Sequence, residues 1–537
     1  MRIKRFFRYV LPAFLVAIIM LSAYQLSAET TEVTKVKNES IIPNNAAFVA
    51  NVDLGAILQK SNYANLKNLE LIKAFREELK ADKPSVESLL GKMLVDPSSC
   101  GINTNANMIG FVTQKDEDAI AVLSFLMKNR NDFEVFASTM SQIMESDKKF
   151  KSKYDSNHKV YYANLDDALA VYNDERLLIV CSIKGIYDSS FLKNYATNLL
   201  KLNTEECIAQ DKRFKEYWAN RGDISVFATY KNLPQKLKQK IEDIKLPKGF
   251  NDEFADMAAY MTLTCEKGVF EVRINTIGMP ERIKKLTDHS FNKSLLKYMP
   301  ENTLTATTLS INPANLIDFI KYFNGTIDSK DRDIINAFGG SFVANCYDIT
   351  IAARPCVAFA ADITNREEIK AALEALNFEK DGDFYYFNSL FEIYFYLADD
   401  ALIAATNKSV VRKAANREYS NGLKKISAKA KDGNYFYLDL NIDDYPQDLV
   451  EFITKQAFTR TEYYTDPVTQ QNKQRVYYAE DEDYAVFEVM SWFDAYDVKL
   501  DGNGLAVKLH TSDNSINSLE FILKKTNDFI MHFYNKL

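Results

Sequence analysis

A chain of 537 residues exceeds what one hydrophobic core comfortably spans, so two domains of roughly 200 to 250 residues are expected. With 47% hydrophobic and 26% charged residues, and few Gly and Pro, the composition excludes a disordered or collagen-like chain. The net charge of -7 argues against nucleic acid as a partner, since no basic stripe interleaved with aromatics offsets the average repulsion of phosphates.

The chain opens Met1-Arg2-Ile3-Lys4-Arg5-Phe6-Phe7-Arg8, continues through the apolar stretch Val10 to Tyr24, and reaches Gln25-Leu26-Ser27-Ala28 before polar Glu29-Thr30-Thr31. A basic start, an apolar middle and a small-residue exit read as a secretory signal peptide over residues 1–28, with cleavage after Ala28. The alternative is an uncleaved anchor, but the apolar stretch is shorter than the roughly 20 residues a spanning helix needs. Cleavage removes Arg2, Lys4, Arg5 and Arg8 and no acid, which moves the charge from -7 to -11. The expected address is periplasmic or envelope-associated, with membrane contact only through this segment if it is retained. Residues 29–39 read as a linker.

Cys100, Cys181, Cys207, Cys265, Cys346 and Cys356 are spread without a close C-x-x-C pair, and a large core needs no stapling, so mostly buried thiols are expected.

After the linker the sequence reads as one unit written twice, over 40–295 and 296–537. Ile42-Pro43-Asn44-Asn45 leads through an alternating strand to Asp53 and a helix at Ile57-Leu58. Met299-Pro300-Glu301-Asn302 leads likewise to Asn312 and a helix at Leu316-Ile317. Asp53 and Asn312 are placed to cap those helices. Next, the strand Ala119 to Met127 runs into a helix opened by Asn131-Asp132-Phe133-Glu134, and Cys356 to Ile363 into one opened by Thr364-Asn365-Arg366-Glu367. Paired strands with an acidic turn follow, Ala168 to Tyr172 with Leu177 to Cys181, and Phe391 to Leu397 with Ala401 to Thr406. Strands at Ile224 to Tyr230 and Tyr435 to Leu440 come next, then hairpins turning at Glu266-Lys267-Gly268 and Asp501-Gly502-Asn503-Gly504. Short turns between strands imply antiparallel sheets, and the intervening helices can cover a face of each. The expected class is α+β, two tandem, internally duplicated units.

The second unit carries an insertion at 459–483, ahead of a strand expected at Tyr484 to Met490. It reads as a β-ribbon with Tyr463-Tyr464 and Tyr477-Tyr478 and an acidic end, Glu480-Asp481-Glu482-Asp483. Tyrosine combines a flat apolar face with a hydroxyl, so Tyr463, Tyr464, Tyr477 and Tyr478 are the candidate binding residues for a sugar or peptide. Neighbours in a strand point to opposite faces, so half of them at most line one surface.

Catalytic patterns are absent from the sequence. His158, His289, His510 and His532 have no second histidine or cysteine at ligand spacing, which argues against a zinc site. There is no G-x-S-x-G elbow, Walker A loop or G-x-G-x-x-G turn. Ser146 to Lys149 and Ser156 to Lys159 match S-x-x-K without its companion motifs. Asp166-Asp167, Asp399-Asp400 and Asp443-Asp444 have the form of paired carboxylates, although acids at strand ends and turns are commonplace. No catalytic residue, metal ligand or cofactor is assigned.

The I-P-x-N-A-x-x-V-A-x-V-D-L-like run Ile42 to Leu54, the lysine-rich helical stretch after it, and Asp96-Pro97-Ser98-Ser99-Cys100-Gly101-Ile102 resemble a domain-of-unknown-function family of large Bacteroidota cell-envelope proteins. The resemblance covers nearly the whole mature chain and brings no catalytic residues with it. Members of that family often look like lipoproteins, with a cysteine directly after the signal peptide. Here the first cysteine is Cys100, so a lipid anchor is not implied. The function expected is a non-enzymatic exported protein with a structural or binding role towards an envelope protein or glycan. The alternatives are a hydrolase or carbohydrate-active enzyme whose acids meet only in the fold, and a ligand carrier, which requires a closed apolar pocket.

Overall fold

The computed structural model describes residues 37–534, apart from 144–149, 166, 243–252, 351–353, 377, 389–391, 420–421, 448–449, 451–458, 466–471, 479–487 and 502–503. The signal segment and most of the linker lie outside the described residues, as do Ser146 to Lys149 and the acidic run Glu480 to Asp483. The architecture is α+β, with antiparallel strand pairing throughout. Among the described residues no helix is long and apolar enough to cross a membrane.

Two compact units form. The first gathers described residues of Met1–Lys245, Asn251–Gly278 and Asp513–Leu537, and the second those of Leu246–Phe250 and Met279–Ser512. The chain thus returns to unit one after Ser512, whereas a linear division at 295/296 would leave its last residues in unit two. The physical reason is an apolar helix face that is buried among the helices of unit one.

Unit one has strands β1 (Ala46–Val52), β2 (Met108–Lys115), β3 (Asp118–Leu126), β4 (Lys153–Asp155), β5 (Val160–Leu165), β6 (Ala168–Tyr172), β7 (Arg176–Ser182), β8 (Ile224–Thr229), β9 (Ala258–Glu266) and β10 (Val269–Ile277). Their spatial order is β4-β5-β6-β7-β3-β2-β1-β8-β9-β10. Its helices include α1 (Leu54–Lys60), α2 (Glu70–Asp82), α3 (Pro84–Met93), α4 (Arg130–Ile143), α5 (Ser189–Leu199) and α6 (Lys212–Ala219). Alternation along each strand sends Val49, Ile109, Phe111, Ile120, Val122, Leu178, Val180 and Phe227 to one face, where α5 and α6 cover them with Leu192, Ala196, Phe214 and Tyr217. Each such large side chain contributes about 1.5–3 kcal/mol on burial. The register aligns Leu123, Gly110, Ala50, Val226, Met261 and Ile274 in one cross-strand row on the other face. Part of that row is open, with Leu123 and Met261 each 41% exposed.

Helices α1 to α3 form a separate apolar cluster, in which Leu58, Leu71, Ile72 and Leu90 meet Leu523 of the C-terminal helix Ser518–Tyr534. Asn527 of that helix accepts a hydrogen bond from the Leu71 amide at 3.0 Å, satisfying a first-turn N–H of α2 that has no intrahelical partner.

Unit two has strands β11 (Thr305–Ser310), β12 (Phe338–Ile349), β13 (Pro355–Ile363), β14 (Glu379–Asp381), β15 (Phe384–Asn388), β16 (Glu392–Leu397), β17 (Ala401–Ala405) and β18 (Tyr435–Asp439). These are followed by β19 (Thr459–Thr465), β20 (Asn472–Tyr478), β21 (Phe493–Asp501) and β22 (Gly504–Thr511). The order of its main sheet is β14-β15-β16-β17-β13-β12-β11-β18-β21-β22. Helices α7 (Pro313–Asn324), α8 (Ser329–Ala337), α9 (Arg366–Ala375) and α10 (Lys408–Ala415) accompany it. Strand for strand, the two main sheets share one connectivity.

Local expectations are met where a side chain decides them. Asp53 accepts from the Ala56 amide at 2.9 Å and Asn312 from the Asn315 amide at 3.1 Å, each capping its helix. The cap of α4, however, is Asn129, which accepts from the amides of Asn131 and Asp132, so the start lies two residues before Asn131. The strand expected at Tyr484 to Met490 is not found in its described part, because Glu488 to Met490 are helical and β21 begins at Phe493. All six cysteines are free thiols, with Cys100, Cys207 and Cys265 buried.

Candidate functional site

The ribbon strands β19 and β20 pair antiparallel and make a separate two-stranded sheet. Tyr463 stands opposite Gln474, Tyr464 opposite Lys473, Tyr477 opposite Arg460 and Tyr478 opposite Thr459. Register parity therefore divides the four tyrosine positions, 463 with 478 and 464 with 477.

The carboxylate pairs are dispersed, and Asp400 and Asp444 each have a lysine partner. Asp166 lies outside the described residues, and Asp167 stands in the turn between β5 and β6. Asp400 accepts from Lys297 Nζ at 2.9 Å and from the Tyr298 hydroxyl at 2.5 Å. Asp444 binds Lys425 at 2.6 Å and accepts from Asn441 Nδ2 at 3.2 Å. Ser156 to Lys159 form the turn between β4 and β5, where Asp155 accepts from the amides of Asn157 and His158. Among the described residues there is no group of three or more His, Cys, Asp or Glu that could hold a metal ion.

A cluster of titratable groups lies on β18, β21 and β22 of unit two. Asp497, with its side chain 4% exposed, accepts from Lys429 Nζ at 2.9 Å and lies 2.7 Å from His510 Nε2. Lys425 bridges Asp439 and Asp444. Burial works against the charge of Asp497, yet the bonds from His510 and Lys429 win and hold its carboxyl below the usual range. Burial wins at Asp439 and Asp494, both of which are held above it. Each buried carboxylate here has a basic partner, so the cluster is explicable as an ionic tie between the 423–431 segment and the sheet.

A different geometry stands in unit one. An open groove of about 660 Å³ runs between the segment starting at Lys37, the stretch before α6, and α6 itself. Its walls are aligned by backbone bonds: Ile208 N donates to Ile42 O at 2.9 Å and Asn44 N to Glu206 O at 2.8 Å. Asp211 then caps α6, accepting from the Arg213 amide at 2.8 Å. On α6, residues four apart share a face, which stacks Trp218 on Phe214 with ring centroids 5.5 Å apart and planes at 20°. Arg221 continues the ladder: its guanidinium lies 4.7 Å from the centroid of the Trp218 ring, and Nη1 donates to Trp218 O at 2.5 Å.

The groove lining also includes Lys37 and Lys215, with Glu39 as its one acid, and Leu202, Ser40, Thr204 and Gln210 between them. Behind the Lys37 rim, the buried guanidinium of Arg176 donates Nη2 to Lys37 O at 3.0 Å, while its Nη1 has no hydrogen-bond partner. Burial pulls Arg176 down to about 10. The walls thus join a flat apolar platform to an excess of positive charge. Sequence spacing does not reveal this groove, because Lys37 and Arg221 meet only through the fold. The signal available was the scarcity of tryptophan, with Trp218 four residues after Phe214.

The fold defines a two-unit α+β protein with antiparallel sheets and an aromatic, basic-rimmed groove. The chain belongs to the family described as Domain of unknown function (DUF4836), which matches residues 38–463. No curated protein matches it. Among solved structures it is similar to crystal form IV of TP0453, at 11% identity and a TM-score of 0.24, over 45% of this chain and 81% of that one. Crystal form III of TP0453 gives 10% identity and a TM-score of 0.26, over 49% of this chain and 85% of that one.

Proposed function

We propose that this chain is a non-enzymatic exported protein of the cell envelope that binds a ligand in the unit-one groove. The observation that carries this reading is the Phe214, Trp218 and Arg221 ladder, set in a groove of about 660 Å³ within the size range of small-ligand sites. The export part rests on the pattern of Met1 to Ala28. The groove is open, which favours an exchangeable partner such as a glycan or a segment of an envelope protein over a cargo sealed in a carrier. Tyr463, Tyr464, Tyr477 and Tyr478 of the ribbon, two positions on each face, are proposed as further contacts. Internal duplication is part of the same proposal, supported by the common strand order and the matching caps Asp53 and Asn312.

The test is native mass spectrometry of the mature protein and its Trp218→Ala variant, each incubated with envelope extract and re-isolated. A ligand retained unchanged by the parent and lost by the variant is the expected result. A ligand recovered chemically altered would favour an enzyme.

A further inference from the structure

The face of the unit-one sheet opposite the one that α5 and α6 cover carries the row Leu123, Gly110, Ala50, Val226, Met261 and Ile274. The adjacent row on that face runs Ala121, Val112, Phe48, Ala228, Ala259 and Thr276. Neither row contains a charge. On β7 the two rows continue into Ile179 and Cys181. Leu123 and Met261 are each 41% exposed and Ile274 39%, while the second row is half-buried. At one end the face is covered: Val52, two residues along from Ala50, packs against the cluster that α1 to α3 form with the C-terminal helix. Contiguous apolar surface of this kind marks an interaction site.

We infer that a second copy of this chain docks here, the two sheets stacking about a two-fold axis that lies in the interface and runs across the strands. Charge selects the occupant: at a net charge of -7 two copies repel on average, and on this face they can meet with no like charges opposed. Shape selects the axis. An axis along the strands would bring the two covered ends together, where their helices collide, whereas one across the strands sets those ends at opposite sides. It also lays the first row of one copy over the second row of the other. Leu123 then meets the second copy's Ala121, Val226 its Ala228, Met261 its Ala259, and Ala50 its Phe48. Each pairing sets a large side chain against a small one, as interdigitating sheets require. At Gly110 the space is already taken, since Leu123 Cδ2 lies 3.2 Å from where a Cβ would stand. Seven strands about 4.8 Å apart span about 34 Å, and two rows take about 14 Å along them. The stacked pair would cover about 950 Å² in projection, close to the roughly 1,000 Å² at which a specific interface begins, so the dimer is reversible.

Size-exclusion chromatography with light scattering on the mature protein should give a mass that rises with concentration from one chain towards two. Leu123→Glu and Ala121→Lys should each weaken the dimer about tenfold or more, with circular dichroism unchanged. Mixing these two variants should restore it, because in the mixed pair the introduced acid and base face one another while the symmetry-related contact is native. Raising salt should tighten association, by screening the repulsion between acidic chains. Where either variant does not fold, Met261→Glu with Ala259→Lys repeats the test on β9. A single-chain mass at every concentration would overturn the proposal, as would a dimer that survives both variants or a mixture that stays monomeric. Binding of a monomer to phosphatidylcholine vesicles, lost in Leu123→Glu, would overturn the second copy in favour of a lipid surface.

Discussion

Asp497 on β21 and His510 on β22 meet with 2.7 Å between carboxylate Oδ2 and Nε2, and Lys429 reaches the same oxygen at 2.9 Å. Asp497→Asn keeps the shape but weakens two charge-assisted bonds at a buried position, and it should cost unit two about 1.5–3 kcal/mol. Urea unfolding at neutral pH measures this, and an unchanged midpoint would show the tie to be dispensable.

The same carboxylate sets a sign for pH dependence. Because its folded value is lowered, the unfolded chain takes up the proton first as pH falls. The contribution of Asp497 is complete above the unfolded aspartate value of about 3.9 and drains as pH falls through the lowered one. Asp439, held up by burial, has the opposite sign: its contribution is present below the unfolded value and lost as pH rises through the raised one. Acid titration of stability should therefore flatten in Asp497→Asn, whereas Asp439→Asn should gain relative to the parent as pH rises.

Asn51 sits fully buried on β1, with Ile109 and Ser225 as its strand neighbours, and neither Oδ1 nor Nδ2 has a hydrogen-bond partner. Replacing a buried unsatisfied amide by an apolar side chain of similar size removes a desolvation cost of about 1–3 kcal/mol. Asn51→Leu should raise the melting temperature of unit one, and a drop would mean that the amide is satisfied in solution.

Two glycines separate crowding from strain. A Cβ on Gly422 would lie 1.8 Å from the Leu296 carbonyl oxygen, and backbone cannot yield that far. Gly185 has φ of +72° but nothing within 4 Å of a would-be Cβ. Gly422→Ala should be severely destabilising, about 4 kcal/mol or more, while Gly185→Ala should cost only about 1–2 kcal/mol. Paired thermal melts decide the ranking.

Leu523 is the buried contribution of the C-terminal helix to the cluster of Leu58, Leu71 and Leu90. Leu523→Ala should cost about 2–5 kcal/mol. Hydrogen exchange should then quicken in α1 to α3, with α9 and α10 of unit two unaffected.

Much of this architecture was legible in the sequence because short-range chemistry writes it. Asp53, Asn312 and the apolar runs of β3, β7 and β17 each announce their element within a few residues. What escaped was decided over longer range. Asn129 displaced Asn131 as a cap because only the fold shows which oxygen faces the free amides. The strand forecast at 484–490 fails in its described part, where the backbone at Glu488 to Met490 is helical. The groove could not be read at all, since Lys37 and Arg221 are remote in sequence, and the tyrosine pairs drew attention simply by being adjacent.

The return of Asp513–Leu537 to unit one imposes an order on the chain's birth. Residues 279–512 can close on themselves while the ribosome is still at work, but the unit begun first must wait for the segment that starts at Asp513. A chain released before Asp513 would leave the apolar side of α1 to α3 without its closing helix, an open face on which such intermediates aggregate. Late truncation is therefore expected to injure the oldest part of the molecule and spare the part next to the cut.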